Sequence, residues 1–332
     1  MEFILDNSSI VTNTTIASYG GSPYTPSFLK SALLVSYGII CVFGIFGNLM
    51  VIVASRKPRM LMVSNVLVAN LATADFTVSL VNIPTVATYG YLVYWPFGAF
   101  LCKVVPYLQG VTLVASVGTL VAIAAERYWH VVLYRRPRLT VHQAYKATVV
   151  IWLMSLLIPS PIAIFSKTIA WKQNGEEVEI CIEEWPNVKS RQVFTTMISL
   201  LLYFIPVCVI CSLYLKIVRF LRSAPPAQRV INRAQRKATL LLLTVALMFV
   251  FCWMPFHVVS LYVDLAQAQL TRSMTKFILF SQWLVFANSA CNPFFFTVLN
   301  HNYRREFKEM ICARPSCMKR KNNVFVHAQN DK

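Results

Sequence analysis

The chain has 332 residues, of which 57% are hydrophobic and only 13% are charged, whereas an average soluble domain is about 25% charged. Together with a mean hydropathy of +0.57, this composition excludes a disordered, a fibrous or a disulfide-scaffold protein. The net charge of +18 is typical of proteins that bind nucleic acid, so the placement of the basic residues has to decide what that charge means.

Seven stretches without charge follow one another along the chain. Each has about 20 residues or more, the length that a helix needs to cross a bilayer, and only Asp75 interrupts one of them. Buried helices of soluble proteins are usually shorter and amphipathic. The stretches therefore predict an all-α membrane protein with a seven-transmembrane helix bundle. They cover residues 31–55, 60–102, 104–125, 147–166, 192–215, 238–263 and 277–303.

The basic residues are distributed unevenly between these spans. The segments after the first, third and fifth spans and after the last hold 23 Lys and Arg, and the other segments hold 8. Such an excess marks the cytoplasmic side, so we expect a multi-pass plasma-membrane protein with its N-terminus outside, and nucleic acid is not needed to explain the charge. The expected regions are an extracellular tail over 1–29 with glycosylation sequons at Asn7 and Asn13, a seven-span domain over 30–299, a short amphipathic cytoplasmic helix over 300–312 and a cytoplasmic tail over 313–332.

One acid, Asp75, lies deep within a span. A charge there costs about 2.5–3.5 kcal/mol on insertion scales and indicates a functional site. Oxygen ligands around one carboxylate suit a small hard cation; the alternative is that these groups only hydrogen-bond one another between helices. The other polar groups expected at similar depth are Ser116, Asn288, Ser289 and Asn292.

The cysteines divide by their expected side of the membrane. Cys102 and Cys181 are the two in outer segments, where the environment is oxidising, so we predict a disulfide between the third span and the second outer loop. Cys312 and Cys317 follow the last span beside basic residues. They are candidates for palmitoylation, or they are unmodified thiols.

The second outer loop has the pattern of a β-hairpin and carries much of the negative charge. Residues 168–182 have alternating apolar residues around Asn174-Gly175, a two-residue turn signal. With Asp264 at the outer end of the sixth span, the loop acids would attract a cationic ligand. Alternatively, they form a solvated loop paired with its lysines, Lys167, Lys172 and Lys189. The acids of the loop are Glu176, Glu177, Glu179, Glu183 and Glu184.

Prolines in the later spans favour a protein that changes conformation. Pro206, Pro255 and Pro293 lie within the fifth, sixth and seventh spans, where proline creates hinges. We find no phosphate-binding loop, nucleophile elbow or paired catalytic carboxylates, so an enzyme is not expected. A transporter or channel is the alternative class, but it would carry several intramembrane charges or an internal repeat.

Several short motifs occur in an order and at a spacing found in one family of membrane proteins. They are Gly47-Asn48, Leu71-Ala72-Thr73-Ala74-Asp75, Trp95-Pro96-Phe97-Gly98, Cys102, Glu126-Arg127-Tyr128, Trp152, Pro206, Tyr214, Phe249 to Pro255, and Asn292-Pro293-Phe294-Phe295-Phe296. Over about residues 30–312 the chain resembles a rhodopsin-like (class A) G-protein-coupled receptor. Segments 102–109, 184–187 and 282–289 resemble the neuropeptide FF receptors and their orexin-receptor relatives, within the neuropeptide receptor group.

The resemblance implies a mechanism. A ligand outside the cell would shift an inactive–active equilibrium, the sixth span would swing outward, and Arg127 would be freed to meet a heterotrimeric G protein; arrestin is a further implied partner. An allosteric sodium ion would bind Asp75, Ser116, Asn288, Ser289 and Asn292 and favour the inactive state. The implied switch residues are Val117, Glu126, Arg127, Tyr128, Pro206, Tyr214, Phe249, Trp253, Asn292, Pro293 and Phe296.

The chain departs from the family in two places. Phe296 stands where the usual residue is Tyr, so no hydroxyl is present there to bridge through water to Tyr214. The base of the sixth span has Gln235 instead of an acid, so the salt bridge that some members form with Arg127 is excluded. We hypothesise that ligand-free signalling is higher as a result.

The resemblance also narrows the ligand. Gln109 occupies the position where amine receptors carry Asp, and Phe286 replaces the retinal-binding Lys of opsins, so neither an amine nor retinal is expected. In related receptors for peptides ending in Arg-Phe-amide, an acid at the Asp264 position pairs with the peptide arginine. We therefore expect a basic, amidated neuropeptide, the alternatives being a non-peptide ligand or a receptor without G-protein coupling. The expected ligand-binding residues are Gln109, His257 (alternatively a packing residue), Gln282, Pro84, Phe256, Trp283, Glu183, Glu184 and Asp264.

Overall fold

The computed structural model describes residues 14–16, 26–173, 175–223, 233–268 and 271–312. The sequons at Asn7 and Asn13, the turn residue Asn174 and Cys317 lie outside the described residues, as does the side chain of Gln235. Eight helices are present in this part of the chain: α1 Ser27–Ser55, α2 Val63–Leu92, α3 Gly98–Val131, α4 Val141–Phe165, α5 Val188–Ser223, α6 Arg233–Leu265, α7 Arg272–Leu299 and α8 His301–Ile311.

The long helices confirm the predicted bundle. Within the described residues, six helices, which lie in α1 to α6, are long and apolar enough to cross a membrane. Helix α7 has a similar length, 28 residues, and its polar residues around Asn288 and Asn292 make it less apolar. The uncharged stretch over 60–102 contains the whole of α2, the loop after it and the first residues of α3, as expected for a stretch longer than one crossing.

Two helices contain a wider turn in front of a proline. Residues Val78–Asn82 of α2 and Leu200–Phe204 of α5 form π turns, followed closely by Pro84 and Pro206. Proline lacks an N–H and its ring clashes with the preceding turn, and a π turn is one way in which a helix accommodates this. The predicted irregularity at Pro206 is therefore present, and the one before Pro84 was not predicted. Helices α6 and α7 continue through Pro255 and Pro293.

The core of the bundle lies around α3, which packs against α2, α4 and α5. The side chains that form this core include Leu71, Ile123, Phe249 and Phe286, all of them buried. Tight packing of this kind is a main source of helix association in lipid. Helix α8 is amphipathic as predicted, because Tyr303, Glu306 and Phe307 are buried while most of its other side chains are exposed.

A small antiparallel sheet covers one end of the bundle. Strands β2 (Ser166–Gln173) and β3 (Glu176–Glu184) form the predicted hairpin, with Gly175 in the turn at φ +90°. A third strand, β1 (Thr14–Ile16), pairs with the other edge of β3, which gives the order β1-β3-β2. The predicted disulfide Cys102–Cys181 joins β3 to α3. We call this end of the bundle the outer end. The opposite end, where α8 lies, is called the inner end.

Candidate functional site

At the outer end, Asp264 of α6 is held by side chains of α5. Arg191 forms an ion pair with its Oδ1, and the Thr195 hydroxyl donates a hydrogen bond to its Oδ2 over 2.5 Å. The Gln192 amide donates to the Asp264 backbone carbonyl over 2.9 Å. The ion pair is largely shielded, since the Arg191 and Asp264 side chains are 14% and 10% exposed. The acid expected to receive a ligand cation therefore already has a cationic partner.

Glu183 lies beside this ion pair on the central strand β3. Its carboxylate accepts a hydrogen bond of 3.1 Å from the Trp185 indole, and that indole packs between Phe165 and Phe194 with ring centroids 4.5 and 4.8 Å away. Burial raises the pKa of Glu183; the Trp185 hydrogen bond and the Arg191 charge lower it in part, and the Asp264 charge raises it.

The second glutamate predicted at the mouth, Glu184, is placed differently. It is exposed and forms an ion pair with Lys167 on the neighbouring strand β2. This contact corresponds to the alternative of a solvated loop acid, so the charged group at the outer end consists of Glu183, Asp264 and Arg191.

Below this charged group lie three buried polar side chains that were predicted to bind ligand. Gln109 of α3, His257 of α6 and Gln282 of α7 are 7%, 2% and 0% exposed. Both amide atoms of Gln282, the Gln109 carbonyl oxygen and His257 Nε2 have no hydrogen-bond partner among the described residues. Buried polar groups without partners are costly and uncommon, so a ligand that supplied these partners would bind favourably.

His257 begins a run of aromatic rings that leads inward along α6. Its Nδ1 is 3.3 Å from the Ser199 hydroxyl, and its ring stacks on Tyr203 at 4.9 Å. Trp253 lies 5.8 Å from both His257 and Phe249, measured between ring centroids. His257 thus packs against aromatic rings while its Nε2 has no partner among the described residues, and its role in ligand binding stays a prediction.

The predicted apolar walls are only partly brought together. Phe256 contacts Trp253 and His257 edge-on at 6.1 and 5.9 Å. The Trp283 indole donates to the Ser36 hydroxyl of α1 over 3.1 Å, and Pro84 is exposed on α2. The structure therefore packs Phe256 against His257, and the ligand-binding roles of Phe256, Trp283 and Pro84 stay predictions.

Asp75 lies in the middle of the bundle. It is 1% exposed and accepts a hydrogen bond of 2.7 Å from the Asn292 amide of α7. The side-chain oxygens of Asn288 and Asn292 are buried without partners in the described part of the chain, Ser289 is buried, and Ser116 is half-buried on α3. A carboxylate with amide and hydroxyl oxygens is a donor set that a small hard cation prefers, so these residues fit a sodium ion.

The inner end contains the Glu126-Arg127 pair. Arg127 Nε donates to Glu126 over 2.7 Å, and its Nη2 contacts the Ser64 hydroxyl at the start of α2. Both side chains are nearly buried. Lys216 of α5 lies over the Tyr128 ring at 5.8 Å. Arg127 is therefore held by α2 and by its own helix.

At the inner end of the bundle, an aromatic residue of α7 packs against one of α8. Phe296 is 0% exposed, and its ring lies 5.8 Å from the ring of Tyr303 in α8. The Tyr303 hydroxyl is 2.8 Å from the Ser55 hydroxyl of α1. The Tyr214 hydroxyl of α5 is buried without a partner among the described residues. The hydroxyl that Phe296 lacks is thus present seven positions later, where it contacts α1.

Comparison with known proteins decides the family. The sequence pattern of the 7 transmembrane receptor (rhodopsin family) matches residues 47–296, which is more than half of the chain. The chain is a class A, rhodopsin-family receptor. The predicted resemblance is confirmed, and the family consists of receptors that couple to G proteins.

Individual relatives of this receptor are similar along most of their length. Neuropeptide FF receptor 2 of Mus musculus is 30% identical over 328 residues, which cover 90% of this chain and 79% of that protein. Neuropeptide FF receptor 1 of Homo sapiens is 32% identical over 332 residues, covering 92% and 76%. Somatostatin receptor type 4 of Rattus norvegicus is 36% identical over 289 residues, covering 84% and 72%.

Four residues of the receptor that the sequence did not single out make important contacts. Arg191 and Thr195 hold Asp264, Ser64 holds Arg127, and Tyr303 holds the inner end of α1. One signal was available for the first pair, because residues four positions apart lie on the same face of a helix. Nothing in the sequence indicated that this face meets Asp264.

Proposed function

We propose that the receptor is activated by an extracellular peptide that is basic and ends in a carboxamide, as in peptides ending in Arg-Phe-amide. The observation that supports this most is the order of polar groups from the outer end of the bundle inward. Two carboxylates, Glu183 and Asp264, lie at the outer end, and below them lie amide atoms of Gln282 and Gln109 that have no partner among the described residues. The names of the relatives, receptors for neuropeptide FF and somatostatin, agree with a peptide ligand.

The polar floor of the site is suited to a terminal carboxamide. A carboxamide has a carbonyl acceptor and an N–H₂ donor, and the Gln282 amide offers the complementary donor and acceptor. Gln109 adds another carbonyl oxygen, which has no partner in the described part of the chain. A free carboxylate could use only the donors, and it would leave buried acceptors such as Gln109 Oε1 without a partner. We therefore expect amidated peptides to be favoured over their free acids.

The aromatic run provides the path by which binding reaches the inner end. A peptide that contacts His257 would move Trp253 and Phe249, which pack in sequence on α6, against the buried residues Val117 and Pro206. Outward movement of α6 would then open the inner end. Arg127, released from Glu126 and Ser64, would meet the G protein, and the same opening would serve arrestin.

Several further features belong to the proposed receptor. The excess of basic residues at the inner end supports a plasma-membrane protein with its N-terminus outside, and Asn7 and Asn13 would then carry glycans.

A sodium ion held by Asp75, Ser116, Asn288, Ser289 and Asn292 would supply positive charge that stabilises the closed arrangement. Cys312, exposed beside Ile311 at the end of α8, is suited to palmitoylation, because an acyl chain there would enter the adjacent lipid.

Asp264→Asn tests the function. It removes a charged hydrogen-bond partner worth about 1.5–3 kcal/mol, so the potency of a synthetic peptide ending in Arg-Phe-amide should fall about 10- to 100-fold. Nucleotide exchange on purified G proteins of several subtypes is the readout, with surface expression measured in parallel. Glu177→Gln removes the same charge from the exposed hairpin and should change potency much less.

The opposite results would contradict the proposal. If no amidated basic peptide stimulates exchange, or if the free acid is as potent as the amide, the ligand class is wrong. A transport current without nucleotide exchange would point to the transporter or channel alternative, which the family comparison does not support.

A further inference from the structure

The charged group at the outer end has more negative than positive charges. It contains two carboxylates, Glu183 and Asp264, and one guanidinium, Arg191, so its net charge is −1 and one further cation would neutralise it. Both carboxylates lie near this guanidinium, because Asp264 is ion-paired with it and the Trp185 indole that donates to Glu183 packs against Phe194, three residues after Arg191 on α5. At present Arg191 is paired with Asp264, and Glu183 is paired only with the neutral indole of Trp185.

The pairing of Arg191 uses little of what a guanidinium can offer. A guanidinium has five N–H donors in a rigid fork, yet its side chain makes one hydrogen bond within the described residues, from Nη2 to Asp264. Asp264 also accepts from Thr195, so its carboxylate would keep one partner if Arg191 left. The contact therefore pairs opposite charges but leaves most of the Arg191 donors unused. Another guanidinium could replace Arg191 there at little cost in hydrogen bonds.

Glu183 is fixed where it could receive the displaced residue. It lies on the central strand, with Thr15 of β1 opposite it on one side and Ser166 of β2 on the other. The disulfide at Cys181, two residues away, joins the same strand to α3. Because this strand is held at both edges, an exchange of partners would move the long Arg191 side chain, or the end of α5 that carries it, toward Glu183.

We propose that Arg191 is an internal substitute for the ligand: in the resting receptor it occupies the carboxylate that a ligand guanidinium takes, and on binding it transfers to Glu183. This inference rests on the proposed function, because it names how the same site is regulated. After the exchange each carboxylate has a guanidinium partner, whereas displacing Arg191 without a second carboxylate would leave its largely shielded cation alone, which is strongly unfavourable. It also couples the arrival of a ligand to a change in the contact between α5 and α6.

The first experiment needs no peptide. Arg191→Ala leaves Asp264 without its guanidinium, so thermal stability of the purified receptor in detergent should fall, and millimolar L-argininamide should restore part of it. L-citrullinamide has the same α-amino group and a neutral ureido group in place of the guanidinium, so it should not restore stability, and neither compound should affect the wild type. Argininamide should also fail in the double variant Arg191→Ala/Asp264→Asn. Arg191→Gln keeps much of the side-chain length and serves if the alanine variant does not fold.

The second experiment uses two peptides that differ only in ending with Arg-Phe-amide or citrulline-Phe-amide. In Arg191→Gln the arginine peptide should gain about tenfold in affinity, because it no longer competes with an internal guanidinium, while the citrulline peptide should not change. Glu183→Gln should weaken the arginine peptide selectively, because the displaced Arg191 then has no acceptor.

These results separate the inference from the proposed function. Absence of selective rescue by argininamide would overturn the inference whether or not peptides bind. Equal effects of Arg191→Gln on both peptides would overturn it while leaving the peptide receptor intact. If neither peptide binds the wild type, the proposed function fails, and the rescue experiment still decides whether Asp264 is a guanidinium site occupied by Arg191.

Discussion

The contact between Tyr303 and Ser55 allows a quantitative prediction about the inner end. Ser55 Oγ donates to the Val51 carbonyl over 2.8 Å, so it accepts from the Tyr303 hydroxyl at 2.8 Å. The contact of that hydroxyl with Asn65, at 3.4 Å, is longer and weaker. Tyr303→Phe therefore removes one good hydrogen bond and leaves no donor without a partner. It should cost about 1 kcal/mol.

Ser55→Ala should cost more than Tyr303→Phe, although it removes the same bond. The tyrosine hydroxyl, 1% exposed, would be left with only the weak Asn65 contact, and a buried hydroxyl without a partner costs about 1–3 kcal/mol. The double variant Ser55→Ala/Tyr303→Phe removes both polar groups, so it should be more stable than Ser55→Ala alone.

The assay is thermal unfolding of the purified receptor at one scan rate, because membrane proteins often unfold irreversibly. About 1 kcal/mol corresponds to roughly 2–4 °C for chains of 150–250 residues, so Tyr303→Phe should lower the transition by about 2 °C. Tyr145→Phe, at an exposed position on α4, is the matched control and should have no effect. A double variant no more stable than Ser55→Ala would refute the assumed donor and acceptor roles.

Four further predictions concern the switch and its surroundings. Ser64→Ala removes one of the two partners of Arg127, so basal nucleotide exchange should rise about fivefold for 1 kcal/mol; unchanged basal exchange would show that Ser64 does not hold the inactive state. Phe296→Tyr restores the usual hydroxyl, and comparison of its ligand-free signalling with wild type tests the hypothesis of raised basal activity, which equally low values in both would eliminate. Burial would raise the pKa of Glu306, but hydrogen bonds from Arg59 and Lys57 outweigh burial, and the pKa is lowered. The ion pairs of Glu306 therefore stabilise the fold above pH 4.5, the ordinary pKa of the group. This stabilisation is lost as the pH falls through the lowered pKa. Glu306→Gln should therefore flatten the acid limb of the stability profile, and an unaltered profile would assign that limb to other groups. Asp75→Asn should abolish any effect of sodium chloride, relative to choline chloride, on peptide affinity, and a retained difference would place the ion elsewhere.

The bundle and its covalent link were predictable because each depends on local composition. Span length follows from runs without charge, the Cys102–Cys181 pairing follows from the two sides of the membrane, and the hairpin follows from alternation around one turn. The contact between Asp75 and Asn292 was also predictable, since polar residues at equal depth in a bilayer have few partners other than one another.

The partners of the charged residues were not predictable in the same way. Whether Arg191 meets Asp264 depends on how far α5 is rotated about its axis, and a difference of one residue in the helix moves a side chain by about 100°. Arg127 and Ser64 likewise belong to different helices, and either could have met several neighbours. Tyr303 gave no signal because nothing in the sequence shows that its hydroxyl reaches Ser55 of α1.

The π turn at Leu200–Phe204 sets that rotation for the outer part of α5. A π turn contains one more residue than an α-helical turn, so loss of a single residue from it would carry Arg191 and Thr195 about 100° around the helix, away from Asp264. Insertions and deletions inside the membrane could thus change which ligand charge a receptor of this family accepts while every residue of its binding site stays the same. In this chain, the number of residues in α5 therefore helps to decide which of its side chains contact Asp264.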